Sequence, residues 1–205
     1  MFKAWASKSN LGAEEVKKLV IAVSGQPGSG KTTYAKIISE KLGLRHVSSG
    51  QLFRKMAEER GLSLLELHRQ AELDPSIDLE VDEAVYRAAM EGGVVIDSHL
   101  AGWLLRDVAD VKVFFTAPLM VRAERIAKRD GLSQAEALRQ VVKREESNRR
   151  RYLELYGIDT SDLSVFDLVI NTAKWGKEEV ANVVLSLIAL LAESRVGGAG
   201  LKPSL

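Results

Sequence analysis

The 205-residue chain contains no cysteine, only three histidines and only four prolines. Without thiols, neither disulfides nor thiolate metal sites can hold it together, and Cys-His catalysis is excluded. The histidines (His46, His68 and His99) are scattered without metal-ligand spacing. No Ser-His-Asp arrangement is suggested either. No apolar run approaches the length of a membrane span, and Met1 to Lys8 lack the apolar core of a signal peptide. The expected location is therefore the cytoplasm, which the missing cysteines fit, with no membrane partner. Charge of one sign is lacking too: 29 Lys and Arg stand against 28 Asp and Glu, a net charge of +1. That balance excludes a polycation built for nucleic acid.

What is present is ordinary for a globular protein with a real core: 46% hydrophobic and 28% charged residues. The length suits one domain. Residues 1–18 read as an extension before the first strand, and residues 196–205, with Gly197, Gly198 and Gly200, as a flexible tail. The charge is unevenly placed. Residues 122–151 hold ten basic and five acidic residues, whereas residues 58–91 hold three arginines and ten acids.

The most specific segment is Gly25-Gln26-Pro27-Gly28-Ser29-Gly30-Lys31-Thr32, followed by Thr33. It matches the phosphate-binding pattern G-x-x-x-x-G-K-[ST]. A β-prone run, Leu19 to Val23, precedes it, and a helix-forming stretch, Thr33 to Leu42, follows with Gly43 placed to cap it. The glycines and the proline let the backbone curl so that several N–H groups face one anion. The helix adds the positive end of its dipole. Lys31 can reach β- and γ-phosphates, and the Thr32 hydroxyl can ligate Mg²⁺.

Further strands are expected at Leu44–Ser48, Gly93–Asp97, Val111–Thr116 and Asp167–Asn171. Helices are expected from Ser49 to about Arg60, from a capping box at Ser63–Glu66 up to Asp74-Pro75, from Ile77 to Glu91, from Pro118 to Asp130, from Ser133 to Tyr156, and from Gly176 to Ser194. Short apolar strands alternating with helices imply a parallel sheet covered on both faces. The predicted fold class is α/β, a P-loop three-layer sandwich.

Four blocks narrow the family: Gly25–Thr33; Val47-Ser48-Ser49-Gly50-Gln51-Leu52-Phe53-Arg54; Ala71-Glu72-Leu73-Asp74-Pro75-Ser76-Ile77-Asp78; and Arg151-Tyr152 through Tyr156-Gly157-Ile158-Asp159 to Thr172. Leu100-Ala101-Gly102-Trp103 fits as well. In these blocks the chain resembles the nucleoside monophosphate kinases, and more narrowly the archaeal-type cytidylate kinases. The resemblance implies a single kinase domain over about residues 19–190, with a small helical acceptor-binding lobe at about 49–91 and a helical lid at about 122–157. It also implies ATP with Mg²⁺, and transfer of the γ-phosphoryl group to CMP and dCMP. Nucleotides would be the only partners, with no nucleic acid and no protein partner implied.

Carried over by motif, Gly25 to Thr33 hold ATP, with Arg122 near the adenine. Arg54 grips the acceptor phosphate, a bidentate task suited to a planar guanidinium, beside Ser49 and Gly50. Asp97 ends a strand as the acid that orients Mg²⁺ with Thr32 and borders the acceptor. It could equally cap a helix together with Ser98. Where family members commonly carry an arginine two residues after this acid, the chain has His99. Lys31, Arg129, Arg144 and Arg151 are the expected catalytic cations. At least half of the lid arginines (122, 125, 129, 144, 149, 150 and 151) are expected to be ordinary solvated charges. Asp78, one helical turn before Asp82, either reads the exocyclic amine of cytosine or caps a helix. Acceptors such as AMP or UMP remain alternatives. So does a P-loop ATPase acting as an RNA-associated assembly factor, although the mixed charges of residues 122–151 speak against it. Shikimate and gluconate kinases lack the Ser-Gly-x-x-x-Arg block in this spacing.

Overall fold

Five short apolar segments pair into one parallel sheet in the order β2-β3-β1-β4-β5. They are β1 (Val20–Gly25), β2 (Arg45–Ser48), β3 (Val94–Asp97), β4 (Val111–Thr116) and β5 (Leu168–Asn171). The computed structural model describes residues 13–196. The expected tail beyond Val196 and the first twelve residues of the expected extension lie outside them. The central strand β1 is buried along its whole length. That is why its sequence is a continuous apolar run rather than an alternating one: helices cover both of its faces.

Successive β1 side chains nevertheless go to different cores. Ile21 and Val23 join Val95, Val113 and Phe115 against α2 (Lys31–Leu42) and α9 (Lys177–Val196), where Ile38, Leu42, Val184 and Ile188 meet them. Val20 and Ala22 join Val94 and Ile96 on the other face. There they meet α5 (Pro75–Met90) and α6 (Ala101–Leu104) through Val85, Ala89, Ala101 and the adjoining Leu105. This is the expected three-layer sandwich. The core also reaches back to Val16 of α1 (Ala13–Val16), which is fully buried. Burying one such aliphatic side chain contributes about 1.5–3 kcal/mol, whereas an exposed ion pair contributes about 0–1 kcal/mol. The apolar layers, not the abundant surface charges, hold the sandwich together.

Two smaller cores lie at the carboxyl ends of the strands. Helices α3 (Ser49–Glu59), α4 (Leu64–Ala71) and α5 gather Phe53, Met56, Leu67, Ile77 and Val81 into one cluster of their own. Helices α7 (Leu119–Asp130) and α8 (Gln134–Tyr156) pack through Ile126, Ala137 and Val141. The capping box at Ser63–Glu66 forms as its spacing predicts, and Ser133 with Glu136 forms a second one. Some boundaries differ from expectation. Helix α2 starts at Lys31 rather than Thr33, so Lys31 and Thr32 lie in its first turn. Helix α5 starts at Pro75 because Asp74 caps it, its Oδ1 accepting from Ser76 N at 3.0 Å. Asp78 therefore sits inside the first turn and caps nothing. Two one-turn helices, α1 and α6, carried no periodic signal of their own. Gly102 in α6 is required, since a Cβ there would run into the Phe166 ring. Among the described residues, no helix is long and apolar enough to cross a membrane.

Candidate active site

The register of the sheet sets Val23 of β1 beside Asp97 of β3, and Gly25 beside Phe115 of β4. The phosphate-loop motif and the strand-ending carboxylate thereby come together at the carboxyl edge, where open α/β sheets bind ligands. Gly28 takes φ +79°, and a Cβ there would lie 2.6 Å from the Arg122 carbonyl oxygen, so only glycine fits.

The loop is tied down from outside. Thr116 Oγ1 donates to Gln26 Oε1 at 2.8 Å, and Arg122 donates to the Pro27 carbonyl at 3.3 Å. Thr172 Oγ1 donates to the Ser29 carbonyl at 2.7 Å, and Arg125 donates to that hydroxyl at 2.9 Å. The first-turn amides of α2, at Lys31, Thr32 and Thr33, have no helical acceptor. A helix start of this kind, approached by a glycine-rich loop, is built for phosphate.

Lys31 is half-buried, and burial lowers its pKa to about 8; Asp97 opposes the shift, while Arg144 and Arg129 add to it. Its Nζ lies 3.3 Å from Nε2 of His99, whose Nδ1 lies 2.9 Å from the Gly25 carbonyl. Burial, and then Lys31 and Arg144, hold His99 well below its ordinary pKa, so the ring is neutral.

Asp97 is 2% exposed, and neither carboxylate oxygen has a hydrogen-bond partner. His46 Nε2 stands 3.7 Å away, also unpartnered. Burial alone would raise the Asp97 carboxyl. The neighbouring His46, Lys31 and Thr32 outweigh that and keep it below the usual carboxylate range. An ionised buried carboxylate without a hydrogen-bond partner, beside the Thr32 hydroxyl, suits a divalent cation or that cation's water shell. Among the described residues no group of three or more His, Asp or Glu could hold a metal alone. A cation at this place would take its remaining ligands from water or from bound phosphates.

Around this centre positive charges converge. Arg129 and Arg144 act on Lys31; Arg129 and Arg54 act on Arg144; and Arg144 and Arg151 act on both His99 and His68. The lowered pKa of Arg144 has burial as its first cause and Arg129 as its second. Arg54 folds back along α3, its Nη2 3.7 Å from where a Gly50 Cβ would stand. Its guanidinium thus lies over the helix start formed by Ser49 and Gly50.

The expected site residues are not all equally free. Arg122 is buried and donates to Glu145 through both terminal nitrogens, at 2.9 and 3.2 Å, and through Nε to the Ala117 carbonyl at 2.9 Å. Most of its donors are engaged in binding α8 and the phosphate loop to α7. Arg129 folds onto Asp130 in a bidentate pair of 2.6 and 2.7 Å. Arg151 and Asp78, given separate tasks by motif, pair with each other at 2.7 Å. One turn further along both helices, Tyr156 OH donates to Asp82 Oδ2 at 2.7 Å. Burial raises Asp82 to about 6, opposed by the Tyr156 hydrogen bond and reinforced by Asp78. Burial likewise raises Asp78, against the pull of Arg151.

Arg125 and Thr172, which brace the loop, and His46 and Tyr156 were not singled out from sequence. Arg125 was one of several lid arginines without a distinguishing neighbour. Thr172 closes the fourth family block, which gave it no role of its own.

Comparison with known proteins agrees with this geometry. The profile of the cytidylate kinase-like family matches residues 20–174. A cytidylate kinase of Pyrococcus horikoshii is 53% identical over 185 residues, covering 90% of this chain and 95% of the relative. A cytidylate kinase of Sulfurisphaera tokodaii is 49% identical over 167 residues, covering 81% of this chain and 93% of the relative. Among solved structures, a shikimate kinase from Acinetobacter baumannii superposes with a TM-score of 0.58 at 17% identity, over 86% of this chain and 97% of that one. At that identity it shows a shared fold only.

Proposed function

The chain belongs to the cytidylate kinase-like family, and on that premise we propose that it transfers the γ-phosphoryl group of Mg·ATP to CMP, and to dCMP, in the cytoplasm. The observation that carries the reading is the set of cations around the phosphate loop. Arg144 and Arg129 disfavour the charge of Lys31, and Arg129 and Arg54 that of Arg144, an arrangement suited to a polyanion. Two phosphate chains meeting end to end are such a polyanion.

In this reading Gly25 to Thr33 cradle the β- and γ-phosphates, with Lys31 on their outer oxygens. Arg54, over the start of α3, holds the acceptor phosphate bidentately. An oxygen of that phosphate, already ionised near neutral pH, attacks the γ-phosphorus in line. The bond from the γ-phosphorus to the β–γ bridging oxygen breaks, and ADP leaves with the bond's electrons. No general base is needed, so catalysis is alignment and charge cancellation, which fall to Lys31, Arg129, Arg144 and Arg151. Mg²⁺, when bound beside Thr32 and Asp97, neutralises phosphate charge. Closing α7 and α8 over the nucleotides expels water and suppresses ATP hydrolysis. Asp78, whose carboxylate Arg151 fixes, is the partner for the cytosine amine.

A coupled ADP-release assay with Mg·ATP against CMP, dCMP, UMP, AMP and GMP tests this, with Lys31→Ala as control. Turnover led by CMP and abolished in the control is expected. Preference for AMP would overturn the role of Asp78, and absence of acceptor-dependent turnover would overturn the kinase reading itself.

A further inference from the structure

We propose that His99 is a positioning residue that stations the Lys31 ammonium at the mouth of the phosphate loop and off Asp97 until nucleotide phosphates take it over. The inference rests on the reading that ATP occupies this loop.

The hydrogen bonding fixes the ring's chemistry. The Gly25 carbonyl can only accept, so Nδ1, 2.9 Å away, carries the proton. A neutral imidazole then has its lone pair on Nε2, and that is the atom 3.3 Å from Lys31 Nζ. One side chain therefore touches both ends of the loop, its first glycine and its lysine.

The alternative partner for Lys31 is Asp97, two residues along the chain from His99 and buried with two unpartnered oxygens, to which Lys31 makes no hydrogen bond. A flexible lysine beside a bare buried carboxylate would be expected to fall onto it. Such a pair would block both functions at once: the lysine would be turned away from the phosphates, and the carboxylate away from a divalent cation. A neutral acceptor holds an ammonium more loosely than a carboxylate does. Exchanging the His99 lone pair for a phosphate oxygen is downhill, whereas breaking a buried Lys–Asp pair is costly. If loss of His99 left Lys31 free in only one molecule in ten, apparent ATP affinity would fall about tenfold.

The test separates the two ring nitrogens. In His99→Asn the short amide keeps a donor near the Nδ1 position and loses the acceptor at Nε2. In His99→Gln the longer amide places an oxygen near Nε2. ATP binding is measured without metal or acceptor, by displacement of a fluorescent ATP analogue, and KM is measured for ATP and for CMP. His99→Asn should weaken ATP binding about tenfold with the CMP KM unchanged, and His99→Gln should stay within about twofold of the parent. Adding Asp97→Asn to His99→Asn removes the competing carboxylate and should restore metal-free ATP binding.

If His99 only braces Gly25, the order reverses: Asn is tolerated and Gln is impaired. That result, equal losses in ATP and CMP, or no rescue by Asp97→Asn, would overturn the proposal. The double variant and His99→Gln keep the test decisive should His99→Asn melt early. Turnover of CMP by the parent enzyme decides the kinase reading separately, because the His99 outcome is read only from ratios among variants.

Discussion

Arg151 of α8 donates to Asp78 of α5 across 2.7 Å, and each side chain is only about one-tenth exposed, at 11% and 12%. The pair joins α8, proposed to close over the nucleotides, to α5 of the lobe proposed to hold the acceptor. Asn148 also accepts from Arg151 at 3.1 Å, while Arg151 Nε has no partner. Removing one member strands the other in a poorly solvated place, whereas removing both does not. Asp78→Ala should therefore cost about 3 kcal/mol of stability, and the double change Asp78→Ala with Arg151→Ala clearly less than the sum of the two singles. Urea unfolding of the four proteins of that cycle measures it. Simple additivity would mean that the contact is incidental.

Asp82 gives a pH-dependent prediction from the same surface. Its carboxyl is raised to about 6 in the folded chain, first by burial. An unfolded aspartate ionises near pH 4. Below that pH both states are protonated and Asp82 contributes no difference. Between about pH 4 and 6 the unfolded chain gives up its proton while the folded one keeps it, so stability falls as pH rises through that window. Asp82→Asn should remove the penalty yet still accept from Tyr156. Its melting temperature should exceed the parent's at pH 7, by an amount corresponding to about 1–2 kcal/mol, and match it near pH 4. Equal differences at both pH values would show that ionisation of Asp82 is not the cause.

Arg122 shows where motif and structure part. From sequence it is one of several basic residues in a charged helix, and the resemblance puts it at the adenine. Folded, it is a buried strut between the Pro27 carbonyl and Glu145. Arg122→Met should therefore lower thermal stability markedly, since Glu145 loses its partner and Pro27 a donor. If Arg122 acted only at the base, the variant would melt like the parent and show a raised ATP KM alone.

The legible parts of this molecule were those with local causes. The phosphate loop, the capping box at Ser63, and the strand ending at Asp97 are each written within a few adjacent residues, where turn geometry and capping chemistry act. What could not be read depends on residues far apart in the chain. Thr172 reaches Ser29 across 143 positions, Arg151 reaches Asp78 across 73, and His99 reaches Gly25 across 74. Periodicity and motif spacing carry no term for such contacts. Treating Arg151 and Asp78 as separate functional residues was the natural reading of two separate motifs. Their pairing belongs to the packing of α8 against the α3–α5 lobe, which no local pattern encodes.

Asp97 yields the prediction most directly tied to catalysis. Its two oxygens are buried and unpartnered, and it remains ionised because His46, Lys31 and Thr32 offset its burial. Replacing it by asparagine keeps the shape and removes the charge. Because the fold holds this carboxyl below its usual range, its charge stabilises the folded chain at neutral pH, and the variant should melt modestly lower. Catalysis should suffer more. With the charge gone, a divalent cation beside Thr32 loses its nearest protein anion, so half-saturation should require about 10–100 times more Mg²⁺. Turnover at limiting Mg²⁺ should fall while the CMP KM changes little, because the acceptor phosphate is assigned to Arg54 at the start of α3. A titration of rate against free Mg²⁺, run beside a thermal melt, checks both halves. A variant that needs more cation while melting only modestly lower would mark Asp97 as a charge that serves the metal. One with an unchanged Mg²⁺ requirement would remove Asp97 from the metal site.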